Sequence, residues 1–369
     1  MVTITPVRGR RDVKDFISLP YHLYEGSPFW VPPLRISIRR QLAFAARRKG
    51  EIVAEHFLAR APNGKCLGRI AAAVHAPYVE KYGPIGFFGF FECEQDREIG
   101  ASLIATAEQW VRNRGMRQIA GPYSYTTAQD VGFLVDGFDT PCSLLQPHHP
   151  PYYREMVESC GFRQKLTSSV FVLSRRESSN GNADAVREHQ RLMAEAGLSL
   201  RYGSMARYKE EMELIRNLFC RCFEDSSDWV PHSQDMFDFL AGDLRRLLRP
   251  DLIQIIELRG RPVGFLVLFP EISGVLRQCR GSLLRYILNE RKVRRLRSLV
   301  VVMMGRDPEA LGAGVGRCIT GQIAQLVDSG PYDTVFTTRV HGDNDASKAL
   351  FTRIGAVQTR HYAVFDKDL

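Results

Sequence analysis

The sequence predicts an α/β protein of the α+β kind, two similar halves in tandem, each a mixed, mostly antiparallel sheet flanked by helices. Three observations predict it. The polar stretch SRRESSNGNAD at 174–184 has the Ser, Gly and Asn content of a linker and lies near the midpoint. Two short segments recur on either side of it at nearly one spacing: FWVPP (29–33) as DWVPH (228–232), and PPYYREMVESCGF (150–162) as DASKALFTRIGA (345–356), the second pair closed by Gly161 and Gly355. The apolar periodicity of both halves also runs in one order, β, α, α, β, β, β, α, β, α, β. Domains are therefore expected at 1–174 and 185–369, with a linker at 175–184.

In the first half a strand is expected at 3–7, followed by amphipathic helices after 11 and 35 and strands near 52 and 67. The aromatic run at 86–91 reads as a buried strand, 96–114 as a helix, 117–121 as a strand, 151–160 as a helix and 166–173 as a last strand. The second half begins with the strand LSLRYGS and helices at 205–223 and 233–248. A hairpin follows, LIQIIEL and PVGFLVLF about the turn RGR, then the apolar strand 298–304. A glycine loop opens a helix running to about 328. DTVFTTRV is the next strand, 345–354 a helix and HYAVFD the last strand.

A chain of 369 residues, 44% hydrophobic, exceeds one ordinary core. Its 50 Lys and Arg against 41 Asp and Glu give a net charge of +9, which favours anionic partners without choosing among them. The eight cysteines form no C-x-x-C pair, so neither zinc spacing nor a disulfide framework is indicated. Adjacent His148 and His149 precede two prolines and lack a third ligand, so no metal site is expected. The N-terminus has no apolar leader and no run is apolar enough to span a bilayer. A cytoplasmic location is expected, with any membrane contact peripheral, on the inner face.

The stretch RDPEALGAGVGRC (306–318) places Gly312, Gly314 and Gly316 at alternate positions between a strand and a helix. Such a loop turns backbone N–H groups onto an anion, and the helix dipole adds to the attraction. It lacks the Lys-Ser/Thr of a Walker loop and the spacing G-x-G-x-x-G, which argues against ATP and NAD.

MMGRDPEALGAGVGRCI resembles the pyrophosphate loop of the GNAT acyltransferase superfamily, and NDASKALFTRIGA (344–356) resembles that superfamily's later motif. The resemblance implies two GNAT-like domains and an acyl thioester as co-substrate, from coenzyme A or an acyl carrier protein, with no prosthetic group. It implies donor contacts at Met304, Arg306, Gly312, Gly314, Gly316, Arg317 and Asn344. Two positions depart from the pattern. Leu311 replaces the basic or amide residue that usually opens the loop, and Phe351 stands where many members have a thiolate-protonating tyrosine. The first half carries only Gly100 at the corresponding place and reads as a non-catalytic copy. Along the whole chain, YHLYEGSPFWVPPL, GFLVDGFDTPCSLLQPHHPPYY and the duplication resemble bacterial ceramide synthases, which N-acylate a sphingoid base.

Amide formation from a thioester needs a group to take the amine's proton, donors for the oxyanion and a proton for the thiolate. His341 and Asp343 are the candidate proton carriers, backbone N–H groups around Met304 to Arg306 the oxyanion donors, and Tyr362 or His361 a substitute for the missing tyrosine. The run 277–297 carries eight basic residues and one acidic, interleaved with Leu, Ile and Tyr. It fits an anionic membrane surface or an acyl carrier better than nucleic acid, for which it shows no recognition motif. Two other functions fit the same residues: an aminoacyl transferase acting on a peptidoglycan precursor, and a non-catalytic acyl-CoA sensor.

Overall fold

The computed structural model describes residues 2–48, 50–175 and 180–369. In chain order the elements are β1 (Thr3–Pro6), α1 (Gly9–Leu23), α2 (Arg35–Arg47), β2 (Ile52–Arg60), β3 (Cys66–His75), α3 (Ala76–Tyr82), β4 (Ile85–Cys93), α4 (Arg97–Arg112), β5 (Gln118–Gly121), β6 (Phe133–Asp136), α5 (Tyr152–Ser159) and β7 (Arg163–Ser174). The second half continues with α6 (Asn180–Glu195), β8 (Leu198–Tyr202), α7 (Tyr208–Phe223), α8 (Gln234–Leu244), β9 (Ile253–Leu258), β10 (Arg261–Pro270), α9 (Ser273–Cys279) and α10 (Leu283–Val293). It ends with β11 (Ser298–Arg306), α11 (Val315–Asp328), β12 (Thr334–Thr337), β13 (Val340–His341), α12 (Asp345–Arg353) and β14 (Val357–Asp368). The expected order is therefore present, with α3, β6, α6, α9, α10 and β13 added to it. Within the expected linker, residues 176–179 lie outside the described residues and helix α6 begins at Asn180.

The chain forms two compact units that do not follow the linear halves. One comprises residues 1–168, 273–289 and 360–369; the other 169–272 and 290–359. Each half thus gives its last strand to the other unit. In the first unit β1, β2, β3 and β4 pair antiparallel in order, β5 lies parallel to β4, and β14 lies antiparallel to β5, Phe365 to Asp368 facing Gly121 to Gln118. In the second, β8 to β11 pair antiparallel, β12 lies parallel to β11, and β7 lies antiparallel to β12 through Val172 to Ser174. The strands of each unit follow the same pattern, one parallel pair in an otherwise antiparallel run. Each unit has its own apolar core, one around Phe88, Leu103 and Phe133, the other around Leu266, Val301 and Ile319.

The repeated tryptophans also play matching parts. Trp30 stacks on Tyr24, the residue after α1, at 5.1 Å in the first unit, and Trp229 lies 6.4 Å from Phe219 of α7 in the second. Helices α5 and α12 end at Gly161 and Gly355, both at positive φ near 80–90° where glycine bears no Cβ penalty.

Strand exchange makes a specific prediction. Deleting residues 360–369 removes Tyr362, Val364 and Phe365, all at most 1% exposed, from the first unit. At about 1.5–3 kcal/mol each, their loss approaches the stability of a whole domain. Hydrogen exchange should rise in β4, β5 and β6 while β10 and β11 stay protected; the reverse pattern would place the last strand elsewhere.

Candidate active site

The second unit's site starts from a register shift. Along β10 and β11, Val267 faces Met303 but Leu268 faces Val301, so Val302 is an extra residue on β11. A bulge of this kind bends its strand and turns it away from a neighbour. Pairing with β12 accordingly stops at Val301 and Thr337, whereas pairing with β10 continues to Arg306. Thr338 N–H closes the fork on Val301 O at 3.1 Å. Beyond it, the β12-facing edge of residues 303–306 is left outside the parallel pairing, so the backbone groups expected to hold an oxyanion lie on a diverging strand.

Asp307 pins the turn that follows. It is 1% exposed; its amide donates to Val263 O at 2.8 Å, and its carboxylate accepts the Glu309 amide at 3.1 Å and pairs with Arg221 at 3.1 Å and Arg261 at 3.4 Å. Arg261 also bonds Glu309. Helix α11 then starts at Gly314, whose φ of 79° is left-handed and whose position provides no side-chain cap. The first N–H groups of α11 are therefore left for an external acceptor. Arg306 Nη1, buried and without a hydrogen-bond partner, marks the same turn.

The three glycines do different work. A Cβ on Gly312, at φ 89°, would meet nothing within 4 Å. One on Gly314 would come within 2.8 Å of Leu192, and one on Gly316 within 3.1 Å of Leu350. Gly316 thus permits close packing of α11 and α12. Gly321, which the sequence pattern did not single out, does the same for α6: a Cβ there would lie 2.6 Å from Ala185 O. Helix α6 also supplies Glu188, which pairs with Arg317 at 2.7 Å and Arg353 at 2.8 Å. Arg317 at the start of α11 is therefore already engaged by a carboxylate. Leu311 is 76% exposed on the loop, and Met304 packs partly buried against the core.

After β12 the chain presents His341 and Asp343. Asp343 Oδ2 lies 3.7 Å from His341 Nδ1 and accepts Ser227 Oγ at 2.8 Å. The Asp343 amide points at His341 Nδ1 at 3.4 Å, a long contact that assigns the ring proton to Nε2. Nε2 is buried and has no hydrogen-bond partner among the described residues. Asn344 caps α12, accepting the Ser347 amide at 3.0 Å. Phe351 is 2% exposed and stacks on Phe171 of β7, centroids 5.6 Å apart.

Tyr362 lies in the first unit, fully buried, and donates to Pro147 O at 2.9 Å. His361, its neighbour, contacts Asp136 at 3.1 Å. Neither belongs to the unit that holds His341 and Asp343. His149 Nδ1 accepts the Leu134 amide, and among the described residues no cluster of three His, Cys, Asp or Glu could hold a metal ion. Burial raises the Cys222 thiol to about 12 and Cys318 to about 11, so both stay protonated at neutral pH.

The first unit has the same framework with its gap closed. Its register shift falls at Phe90 and Phe91, and parallel pairing stops at Phe87 and Ala120. Tyr123 then donates to Phe88 O at 2.8 Å and its carbonyl occupies the place a Cβ on Gly89 would need. Helix α4 is capped by Asp96, which accepts the Glu98 and Ile99 amides, and Gly100 makes room for Met156 rather than for a ligand.

Solved structures with this architecture exist. A tandem GNAT protein from the clavulanic acid biosynthesis pathway superposes with a TM-score of 0.60 at 13% identity, covering 100% of this chain and 98% of that one. The chain has the fold of a tandem GNAT protein. A GCN5-related N-acetyltransferase from Anabaena variabilis covers 100% of the chain with a TM-score of 0.53 at 9% identity. By sequence, the chain is 27% identical to Protein YghO of Escherichia coli over 98% of its length and 94% of that protein. It is 25% identical to a bacterial ceramide synthase of Caulobacter vibrioides over 100% of its length and 98% of that protein. No family model matches it. No helix among the described residues is long and apolar enough to cross a membrane.

If Asp307 sets the loop, Asp307→Ala should cost about 1–2 kcal/mol of stability through the lost cap. It should also weaken acyl-CoA binding, read by thermal melting and calorimetric titration of one preparation. Loss of stability with unchanged donor affinity would make Asp307 a folding residue only.

Proposed function

We propose that this GNAT-type acyltransferase moves a long-chain acyl group from a thioester, acyl-CoA or acyl carrier protein, to the amine of a sphingoid base. The observation that carries the donor half is the uncapped α11 start beside the diverging β11. It offers backbone N–H groups to a pyrophosphate, while α4 of the other unit meets its own Asp96. The amine half is supported by the full-length likeness to a protein named bacterial ceramide synthase. The amine is collected at an anionic membrane surface.

In this proposal the thioester carbonyl lies at the fork of β11 and β12, its oxygen toward the backbone N–H groups of Met304 to Arg306. The amine nitrogen attacks the carbonyl carbon, and charge developing on oxygen is held by those amides. Collapse of the tetrahedral intermediate breaks the C–S bond. His341 takes the proton lost by nitrogen, its unpartnered Nε2 offering the basic site once the ring proton shifts to Nδ1 beside Asp343. The departing thiolate takes its proton from solvent, since Phe351 has none to give. Tyr362 is left out because its hydroxyl is committed to Pro147 O.

Incubation with long-chain acyl-CoA and a panel of amines, followed by free-thiol release and product mass, tests the assignment. A sphingoid base should give amide; thiol release with other amines alone would replace the substrate, and donor binding without turnover would favour a sensor. His341→Ala should lower kcat by about 10²–10⁴ with donor affinity unchanged. Gly314→Asp puts a carboxylate where α4 has Asp96, at a φ that Asp tolerates better than most residues. It should lower coenzyme A affinity by about a hundredfold or more relative to Gly314→Asn, which puts the same Cβ against Leu192 at the same left-handed φ without the charge, and the two variants should melt at similar temperatures. An unchanged affinity would remove the cradle.

A further inference from the structure

Helix α10 faces solvent with its apolar side. Tyr286 and Val293, 6% and 8% exposed, hold it to the protein, while Leu283, Leu284, Ile287 and Leu288 are 39%, 67%, 47% and 73% exposed. At 3.6 residues per turn these four share one stripe, opposite Tyr286. They are four of the ten large hydrophobic side chains exposed among the described residues, so the patch is concentrated rather than scattered. Arg280 precedes the stripe and Arg285 flanks it; both are exposed and neither forms an ion pair among the described residues. The sequence continues the basic rim with Arg291, Lys292, Arg294 and Arg295, against the single acid Glu290.

We propose that the Leu283–Leu288 face of α10 inserts into the interfacial layer of an anionic bilayer, with Arg280 and Arg285 on the lipid headgroups. A convex aliphatic ridge suits lipid because acyl chains close around it without a matching cavity, and arginines beside it keep their guanidinium groups at headgroup depth. The rim charge selects anionic lipid over neutral. This departs from attachment by charge alone, since the apolar share of the binding is not screened by salt. The inference rests on the lipid-amine reading for its purpose, while its test needs no turnover.

The test is vesicle flotation of the full chain with phosphatidylcholine alone and with added phosphatidylglycerol, at low and moderate salt. Wild type should float with the anionic vesicles, less so as salt rises but not to zero. Leu284→Gln with Leu288→Gln should cut partitioning about tenfold or more at both salts, because exposed aliphatic area is what enters the bilayer. Arg280→Gln with Arg285→Gln should cut it at low salt and flatten the salt dependence. Both pairs are exposed, so melting temperature should be unchanged, and Leu284→Trp should show blue-shifted emission only with anionic vesicles. Undiminished flotation of the leucine variant overturns the inference. So does a dimer in sedimentation that the leucine variant dissolves, since the face would then meet a second copy. Flotation without acylation of a sphingoid base keeps the inference and removes the substrate; acylation without flotation does the opposite.

Discussion

The site depends on one constraint: β11 cannot satisfy both neighbours to its end. The extra residue Val302 keeps it in register with β10 as far as Arg306 and forces it off β12 after Val301. That divergence leaves backbone polar groups unpaired by the sheet, a costly arrangement in a closed core and a useful one beside a substrate. Asp307 then fixes where the strand ends, and Gly314 allows α11 to begin with its N–H groups free. The first unit shows what happens when the same bulge carries no ligand site. Its chain folds Tyr123 back onto Phe88, and Asp96 fills the anion position at its helix. Duplication has kept the bend and closed the gap in one copy.

The exchange of last strands ties the copies together at the level of single side chains. Phe351, on the helix that carries the superfamily's later motif, stacks on Phe171 of β7. The Phe171 amide donates to Thr337 at the fork itself. A strand encoded in the first half thereby sets both the aromatic packing and the closing edge of the site in the second unit. Changes at Phe171 reach the fork without touching a substrate.

Much of this was legible in the sequence, and the illegible part has a pattern. Apolar period gave the strands and helices, and the glycine loop gave the candidate donor site, because both are local. The partner of a last strand is not local: SVFVLS and HYAVFD have the same alternation, which fixes the face each strand buries and not the sheet it joins. Helix α6 was hidden because its opening, NGNAD, has linker composition, while Leu192, His189 and Ala185 farther along build the face on α11. Gly316 and Gly321 look like loop and helix glycines and prove to be helix-packing positions. Asp307 and Glu188 were invisible as site residues, since charge in a sequence carries no sign of burial.

The excess positive charge is distributed in a way that separates two kinds of anion recognition. At the candidate donor site most side-chain charge is already engaged: Arg317 is held by Glu188, Arg261 by Glu309 and Asp307, and the loop opens with exposed Leu311. What remains is Arg306, whose Nη1 has no hydrogen-bond partner among the described residues, and the row of backbone dipoles at α11, which acts over a few ångströms and demands that the anion enter and shed water. The run 277–297 is the opposite case: Arg280 and Arg285 are exposed and form no ion pair among the described residues, and such charges act through solvent over about a Debye length and weaken with salt. Under the proposed function, a chain that finds an anionic surface and then grips one pyrophosphate has reason to use both. The long-range field gathers, while the short-range cradle discriminates, and neither requires a basic residue at the glycine loop.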